Sequence, residues 1–219
     1  MNVLITGANR GIGLALAQLY CQRGDTVLGV CRSPSAELAA TGAMVMDGID
    51  VTRPGDIGQL KQQLGDRRID LLINNAGILQ HESLAAMDFE HINAQLQVNA
   101  VAPLRLTHAL LEQLASGAKV VLITSRMGSI ADNGSGGYYG YRMSKAALNA
   151  AGKSLAIDLK PRGIAVAMLH PGMVSTRMIN FAGDVTPAQA ASGLAARIDG
   201  LDLNNSGSFW HANGELLPW

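Results

Sequence analysis

The sequence has few of the features that mark nucleic-acid-binding or disulfide-stabilised proteins. Aromatic residues make up 4% of the 219 residues, and Lys+Arg equal Asp+Glu at 17 each. Few aromatic rings argue against a base-stacking surface, and the balanced charge argues against nucleic acid or an anionic membrane as a partner. The two cysteines, Cys21 and Cys31, fit no metal-ligand spacing and no C-x-x-C motif. We therefore expect no metal site, no disulfide scaffold and a reducing compartment.

Long hydrophobic runs are also missing. The longest, such as Val120-Val121-Leu122-Ile123, have the length of a strand, whereas a helix that spans a bilayer needs about 20 apolar residues. The first residues lack the basic segment and the apolar core of a signal peptide. We therefore expect a cytoplasmic protein without a membrane segment. Its hydrophobic content of 48% is typical of a globular chain, and the length fits a single domain over residues 1–219.

Short β-rich apolar runs alternate along the chain with longer stretches of helical pattern. The predicted strands are Val3–Thr6, Thr26–Cys31, Ala43–Met46, Leu71–Ile73, Val120–Thr124, Ala165–Leu169 and Ser208–His211. The predicted helices are Ile12–Arg23, Pro34–Ala40, Pro54–Leu64, Phe89–Ala115, Tyr141–Leu159 and Pro187–Ile198. This alternation predicts an α/β fold of the doubly wound Rossmann type, in which a seven-stranded parallel sheet carries helices on both faces.

Threonine and glycine mark several predicted helix ends. Thr52 and Thr186 each precede a proline near the start of a helix and are expected to act as N-caps. Gly24 and Gly117 are expected to end the helices before them. The glycine-rich stretch Gly134–Gly140 is expected to form a loop beside the functional site.

A glycine cluster follows the first predicted strand directly. It runs Thr6-Gly7-x-x-x-Gly11-x-Gly13 and opens the first helix. In such a turn the first glycine allows the tight bend, the second lets the backbone approach a pyrophosphate, and the third lets the helix pack on the sheet. The N-terminus of the helix then faces the phosphates. The cluster therefore predicts a dinucleotide site that includes Asn9 and Ile12.

The end of the second strand indicates which dinucleotide binds. An NAD site usually carries an acidic residue there, about 20 residues after the glycine turn, for the ribose 2′-hydroxyl. Here the segment reads Val30-Cys31-Arg32-Ser33 and contains no carboxylate, while Arg10 lies in the glycine turn. Two guanidinium groups suit a 2′-phosphate far better than a hydroxyl. We therefore predict NADP(H) as the cofactor.

Tyr141 is the candidate acid/base. Of the neighbouring Tyr138, Tyr139 and Tyr141, only Tyr141 has a lysine four residues later, Lys145. Positions i and i+4 share a helix face, so the phenol and the ammonium can interact. A nearby cation is expected to lower the phenol pKa from about 10 and so to ease proton exchange with a carbonyl oxygen.

Polar residues at two predicted strand ends support this assignment. Ser125 follows a buried strand, where its hydroxyl can hold the same carbonyl oxygen, and Asn74-Asn75-Ala76-Gly77 ends another strand. Ligands of doubly wound folds bind beyond the carboxyl ends of the strands. Asn99 lies within a predicted helix although asparagine is a poor helix former, which fits either a functional or a structural role.

Together these residues resemble the short-chain dehydrogenase/reductase family, and within it the subgroup of sniffer-type carbonyl reductases and the bacterial C-factor. The matching segments are Thr6–Gly13, Asp50-Val51-Thr52, Asn74–Gly77, Asn99, Ser125, Tyr141-x-x-x-Lys145, Pro171-Gly172-x-Val174-x-Thr176, Ser125–Ile130 and Leu217-Pro218-Trp219. They occur in family order across nearly the whole chain. The chain departs from the family in the wider spacing between Ser125 and Tyr141 and in a short segment after Arg177, which favours an open substrate pocket.

The resemblance implies a role for each matching position. Tyr141 would be the acid/base, Lys145 would hold the nicotinamide ribose and lower the tyrosine pKa, Ser125 would orient the carbonyl, and Asn99 would hold a water in a proton relay. Asp50 and Val51 would border the adenine, Asn75 to Gly77 would line the cleft, and Pro171 to Thr176 would close over the nicotinamide and its phosphates. The full predicted cofactor set is Gly7, Asn9, Arg10, Gly11, Ile12, Gly13, Arg32, Ser33, Asp50, Val51, Asn75, Ala76, Gly77, Tyr141, Lys145, Pro171, Gly172, Val174 and Thr176.

The resemblance implies an NADP-dependent oxidoreductase that acts on a small carbonyl or alcohol. It also implies a homodimer or homotetramer, because the long helices Phe89–Ala115 and Tyr141–Leu159 pair subunits in many family members. A non-catalytic NADP-binding sensor or signalling protein of the C-factor type is the alternative. A hydrolase is disfavoured because Ser125 lacks a G-x-S-x-G setting.

Overall fold

The sheet carries seven parallel strands and forms the centre of the molecule. The computed structural model describes residues 1–219. The strands are β1 Asn2–Thr6, β2 Thr26–Val30, β3 Met44–Met46, β4 Ile69–Asn74, β5 Leu114–Ile123, β6 Ala165–His170 and β7 Ser208–His211. They lie in the order β3-β2-β1-β4-β5-β6-β7, and every neighbouring pair is parallel. The strand order reverses between β1 and β4, and in doubly wound sheets such a switch point opens a crevice for ligands. The predicted fold class is confirmed.

Seven α-helices connect the strands. They are α1 Gly11–Gln22, α2 Ala36–Ala39, α3 Pro54–Leu64, α4 Phe89–Leu96, α5 Ala102–Ala109, α6 Tyr139–Leu159 and α7 Pro187–Asp199. None of the helices is long and apolar enough to cross a membrane. No group of His, Cys, Asp or Glu side chains is placed to hold a metal ion.

Alternating strand residues divide the core into two layers. Leu4, Leu72 and Val120 point to one face of the sheet, where α3, α5 and α6 cover them. Val3, Ile73 and other alternate residues point to the opposite face, where α1, α2 and α7 cover them. Both faces of each central strand are therefore buried, which explains why these strands are hydrophobic throughout rather than alternating.

The predicted helix Phe89–Ala115 is wrong in its extent. The chain forms α4, then a π-helical segment at Gln97–Val101, then α5, which ends at Ala109. Strand β5 already begins at Leu114, and Gly117 lies within it with a φ of 78°. Gly117 therefore does not end a helix. The extent of this helix was predicted wrongly because buried helices and buried strands are both rich in hydrophobic residues, so the pattern alone does not show where one ends and the other begins.

The other helix ends follow the prediction in part. Thr186 accepts a hydrogen bond from the Gln189 backbone in a full capping box, and Gly24 follows α1 with a φ of 83°. Thr52 is not an N-cap: Arg53 occupies that position without a side-chain hydrogen bond. Helix α6 begins at Tyr139, two residues earlier than predicted. The loop predicted at Gly134–Gly140 therefore ends at Tyr138.

Candidate active site

The glycine turn between β1 and α1 has the geometry of a phosphate-binding loop. Gly7 and Gly11 adopt φ values of 65° and 55°, which favour glycine. A Cβ on Gly13 would lie 2.2 Å from the Gly7 carbonyl oxygen, so only glycine lets α1 pack this closely. The N-cap of α1, Arg10, makes no side-chain capping bond. The first amides of α1 are therefore free for an anion.

Polar contacts join the glycine turn to the end of β2. Asn9 Nδ2 donates to the Ser33 carbonyl oxygen at 2.9 Å, and Ser35 Oγ donates to the Asn9 carbonyl oxygen at 2.8 Å. Arg10 and Arg32 are exposed, and neither forms an ion pair. Both arginines predicted for the 2′-phosphate are therefore accessible from solvent and outside any ion pair of the protein.

Asp50 and Val51 follow the end of β3 at the same edge of the sheet. Asp50 Oδ1 accepts bonds from the backbone N and the hydroxyl of Thr52 at 2.9 and 2.7 Å. Although burial opposes its ionisation, these bonds and the charges of Arg32 and Arg53 hold the pKa of Asp50 below its usual value. Thr52 is therefore engaged with Asp50, which explains why it does not cap α3.

Asn75, Ala76 and Gly77 form the wall opposite the glycine turn. Asn75 Nδ2 donates to the Thr6 carbonyl oxygen at 2.9 Å, and the Asn75 and Ala76 amides both donate to Thr6 Oγ1 at 3.0 Å. A Cβ on Gly7 would lie 3.1 Å from Ala76 Cα. These contacts hold the ends of β1 and β4 together at the switch point of the sheet.

The loop after β6 lies across the cleft from the glycine turn. A Cβ on Gly11 would lie 3.4 Å from Thr176 Cγ2. Gly172 adopts a φ of 90°, and Val174 forms a β-bridge with Val185. Thr176, at the end of the predicted segment Pro171–Thr176, therefore lies close to the glycine turn.

Ser125, Tyr141 and Lys145 lie together behind this cleft. Ser125 lies two residues after the end of β5, and α6 presents Tyr141 and Lys145 one turn apart, with Lys145 Nζ 5.7 Å from the centre of the Tyr141 ring. Lys145 Nζ also donates to the Ile123 carbonyl oxygen at 2.8 Å. A Cβ on Gly77 would lie 3.8 Å from Lys145 Nζ, so the lysine lies next to the loop after β4. All three side chains are buried.

Burial dominates the ionisation of this pair. It raises the pKa of Tyr141 to about 12, against the effect of the Ser125 hydrogen bond, and it lowers the pKa of Lys145 to about 8. The net direction is the opposite of the expected lowering, because desolvation of the phenolate is the largest influence on the pKa of Tyr141. At neutral pH, Tyr141 is a neutral phenol that can donate a proton.

Asn99 lies in the π-helical segment and is fully engaged with the protein. Its Nδ2 donates to the Ile78 carbonyl oxygen at 2.8 Å and to Ser144 Oγ at 3.0 Å, while its Oδ1 accepts from the Ile78 amide at 2.8 Å. Ser144 is the residue before Lys145. Asn99 thus connects the loop after β4 with α6. Its place in a π-helical segment is typical of functional sites, where such segments occur frequently.

Sequence reasoning missed two buried side chains next to this site. Glu82 and Gln95 are completely buried, and Gln95 Nε2 donates to Glu82 Oε1 at 2.6 Å. Gln95 precedes Asn99 by one helical turn, so both side chains point to the same side of the helix. This spacing was the one feature of the sequence that could have indicated that Gln95 is buried. Nothing in the polar segment around Glu82 marks it as buried, because Asp and Glu are rarely buried without a cation.

Comparison with known proteins identifies the family. Residues 1–185 match the family model described as short chain dehydrogenase. The 1-hydroxy-2-glutathionyl-2-methyl-3-butene dehydrogenase of Rhodococcus sp. strain AD45 is 39% identical over 99% of both chains. The C-signal protein of Myxococcus xanthus is 42% identical over 69% of this chain and 93% of its own.

Solved structures agree with this assignment. The NADPH-bound carbonyl reductase from chicken fatty liver superposes with a TM-score of 0.91, at 29% identity over 100% of this chain and 98% of that one. The carbonyl reductase Sniffer of D. melanogaster gives a TM-score of 0.89, at 30% identity over 100% of this chain and 99% of that one. The sequence matches and the shared architecture lead to one conclusion: the chain belongs to the short-chain dehydrogenase family.

Proposed function

We propose that this chain is an NADP-dependent oxidoreductase that reduces a small carbonyl compound, with Tyr141 as the general acid. The observation that carries this proposal is the buried arrangement of Tyr141, Lys145 and Ser125 beside the glycine turn. The NADPH-bound carbonyl reductase that shares the fold supports the cofactor and the class of substrate.

The tyrosine supplies the proton in this proposal. Because burial raises the pKa of Tyr141 to about 12, the phenol keeps its proton at neutral pH and can give it to the carbonyl oxygen as charge develops there. Ser125 Oγ, two residues beyond the end of β5, would orient that oxygen. Lys145, with a pKa lowered to about 8, remains mostly protonated near neutral pH and would hold the nicotinamide ribose.

The residues of the cleft fit an NADP molecule. The free amides at the N-terminus of α1, with Gly7, Asn9, Gly11, Ile12 and Gly13, would hold the pyrophosphate. Arg10, Arg32 and Ser33 would bind the 2′-phosphate, and Asp50 and Val51 would border the adenine. Asn75, Ala76, Gly77, Pro171, Gly172, Val174 and Thr176 would enclose the rest, with Lys145 at the ribose. The nicotinamide supplies the hydride when the cofactor is bound.

A Tyr141→Phe variant tests the proposal. NADPH oxidation is followed with a panel of aldehydes and ketones, and NADPH binding is measured separately. Loss of the phenol hydroxyl removes the proton donor, so kcat is expected to fall roughly 10²- to 10⁴-fold while NADPH binding persists. Tyr139→Phe is the matched control, since it removes a phenol hydroxyl from the same helix without touching the Tyr141–Lys145 pair. Wild-type turnover in Tyr141→Phe would refute the assignment.

A non-catalytic sensor is less well supported. The C-signal protein is similar over much of the chain, but a sensor needs no buried proton donor, serine and lysine next to the cofactor. The intact Asn99, Ser125, Tyr141 and Lys145 set favours turnover.

We infer a single domain over residues 1–219 that works in the cytoplasm, with no nucleic acid or membrane as partner. A homodimer or homotetramer is supported by exposed hydrophobic side chains on α4, α5 and α6. These are Phe89, Leu104, Met143 and Ile157. Light scattering of the purified protein measures the number of copies.

A further inference from the structure

Glu82 is a buried carboxylate without a cation. It is 0% exposed, and it takes part in no ion pair. Burying a charge without compensation is costly, so the side chain needs strong hydrogen-bond partners. It follows the loop that leaves β4 and lies outside the set of residues assigned to the cofactor or to proton transfer.

Three hydrogen bonds tie Glu82 to its surroundings. Its Oε2 accepts from the Gly140 amide at 3.0 Å, and its Oε1 accepts from Gln95 Nε2 at 2.6 Å. Its backbone carbonyl oxygen accepts from the Tyr138 amide at 3.0 Å. Two of these donors belong to the beginning of α6, directly before Tyr141.

Helix α6 lacks a cap of its own. Its N-cap residue, Tyr138, has a left-handed backbone with φ 51° and ψ 43° and forms no side-chain capping bond. Gly136 and Gly137 before it also have positive φ values, both 64°. The first amides of a helix need acceptors, and a negative charge there is favoured by the helix dipole. Glu82 supplies both from a distant part of the chain.

The same contact fixes how closely α4 and α6 approach. A Cβ on Gly140 would lie 2.5 Å from Gln95 Nε2 and 3.2 Å from Glu82 Oε1, so Gly140 leaves just enough room for the pair. Gln95 Oε1 in turn accepts from the Gln80 amide at 2.9 Å. Gln95 therefore connects Glu82 to the loop after β4, one helical turn from Asn99, which connects the same loop to Ser144 of α6.

From this geometry we infer that Glu82 is a positioning residue: it caps α6 from outside the helix and holds Tyr141 at the distance from Ser125 and the cofactor cleft that proton transfer requires. The inference rests on the proposed function for its catalytic consequence. Its structural content, the external cap, stands independently of any substrate. Small displacements of a reacting group are costly, since a shift of about 1 Å can lower the rate about 100-fold.

A Glu82→Gln variant and a Glu82→Gln/Gln95→Glu exchange test the inference. In Glu82→Gln the new amide NH2 faces either the Gly140 amide or Gln95 Nε2, so one bond must break. We expect kcat to fall roughly 10- to 100-fold while the KM for NADPH stays unchanged. In the exchange variant, the amide now at position 82 can donate to the carboxylate now at position 95 and still accept from Gly140, so most of the lost kcat should return. This rescue separates positioning from a general loss of stability.

Amide hydrogen exchange at Tyr139–Arg142 provides a readout that needs no substrate. Protection of these amides should decrease in Glu82→Gln and return in the exchange variant. Ile69→Val, a mild core truncation at the amino end of β4, controls for general destabilisation and should keep both kcat and this protection.

Each result distinguishes the inference from the proposed function. If Glu82→Gln keeps wild-type kcat and wild-type protection, or if the exchange variant restores neither, the inference is overturned. If the wild type oxidises NADPH with no carbonyl of the panel, the proposed function fails, and the hydrogen-exchange comparison alone decides whether Glu82 caps α6.

Discussion

At the scale of single residues, burial controls the chemistry of the Tyr141–Lys145 pair. The sequence predicted the pair from its i,i+4 spacing, and the structure brings the two side chains together. The sequence could not predict the direction of the tyrosine pKa, because desolvation depends on the depth of the site, which no local motif encodes. With a pKa raised to about 12, Tyr141 keeps its proton at neutral pH until charge develops on the substrate oxygen.

Arg32 is predicted to decide the choice of cofactor. It precedes Ser33, which contacts Asn9 of the glycine turn, and it forms no ion pair in the protein, so its guanidinium can bind a phosphate. Because hydrogen bonds to charged groups contribute about 1.5–3 kcal/mol, Arg32→Ser should weaken NADPH binding by roughly 10- to 100-fold. NADH binding should change little, and titration of both cofactors by fluorescence measures the difference.

The matched control is Arg162→Ser, which removes an arginine that lies after α6, at the amino edge of β6. It should leave both affinities unaltered. If Arg32→Ser lowered the affinities for NADH and NADPH equally, Arg32 would not be recognising the 2′-phosphate.

At the scale of elements, the packing of α1 on β1 depends on Gly13. A Cβ there would lie 2.2 Å from the Gly7 carbonyl oxygen and 2.6 Å from Asn75 Nδ2, so helix and turn would have to separate. Gly13→Ala should lower the free energy of unfolding by about 1–3 kcal/mol and abolish tight NADPH binding. Thermal unfolding with and without NADPH measures both effects.

Gly58→Ala in α3 is the corresponding control. A Cβ at Gly58 would meet no atom within 4 Å, and alanine is the better helix former. This change should therefore raise stability by about 0.4–1 kcal/mol and leave NADPH binding intact. Equal destabilisation by both substitutions would contradict the close-packing argument.

Elements with strong local signals were predicted well, and elements that depend on distant contacts were not. The glycine turn and the strands β1, β2 and β6 match because periodicity and turn residues are local. The π-helical segment around Asn99 was missed because it is stabilised by the loop after β4 and by Ser144. The early start of α6 was missed for the same reason, since Glu82 supplies its cap from another part of the chain.

At the scale of the whole molecule, His170 links stability to acid pH. It ends β6, packs edge-to-face against His211 at 4.9 Å, and its buried Nδ1 has no hydrogen-bond partner. Burial, followed by the charges of His211, Arg126 and Lys145, lowers its pKa from 6.5 to about 3. Between pH 6.5 and pH 3 the imidazole of His170 is therefore protonated in the unfolded chain but not in the folded chain. The free energy of unfolding therefore decreases as pH falls from 6.5 towards 3.

The variant His170→Gln is expected to flatten this dependence. A single group of this kind contributes a slope of up to about 1.4 kcal/mol per pH unit. The free energy of unfolding, measured by chemical denaturation between about pH 4 and pH 7, should therefore depend less steeply on pH in the variant than in the wild type. His108→Gln is the control, because His108 is exposed in the last turn of α5, and this variant should keep the wild-type slope. Parallel curves for His170→Gln and wild type would exclude the buried histidine as the source.

The cleft between Gly11 and Thr176 has a consequence for how the protein matures. One wall comes from the beginning of the chain and the other follows β6, so five strands, β2 to β6, separate the two walls in the sequence. A nascent chain that ends before Thr176 lacks half of the cleft. A ligand that binds only the native state stabilises it by mass action. Cellular NADP would therefore stabilise only those molecules whose sheet is already assembled. The supply of cofactor would then influence how much folded protein accumulates.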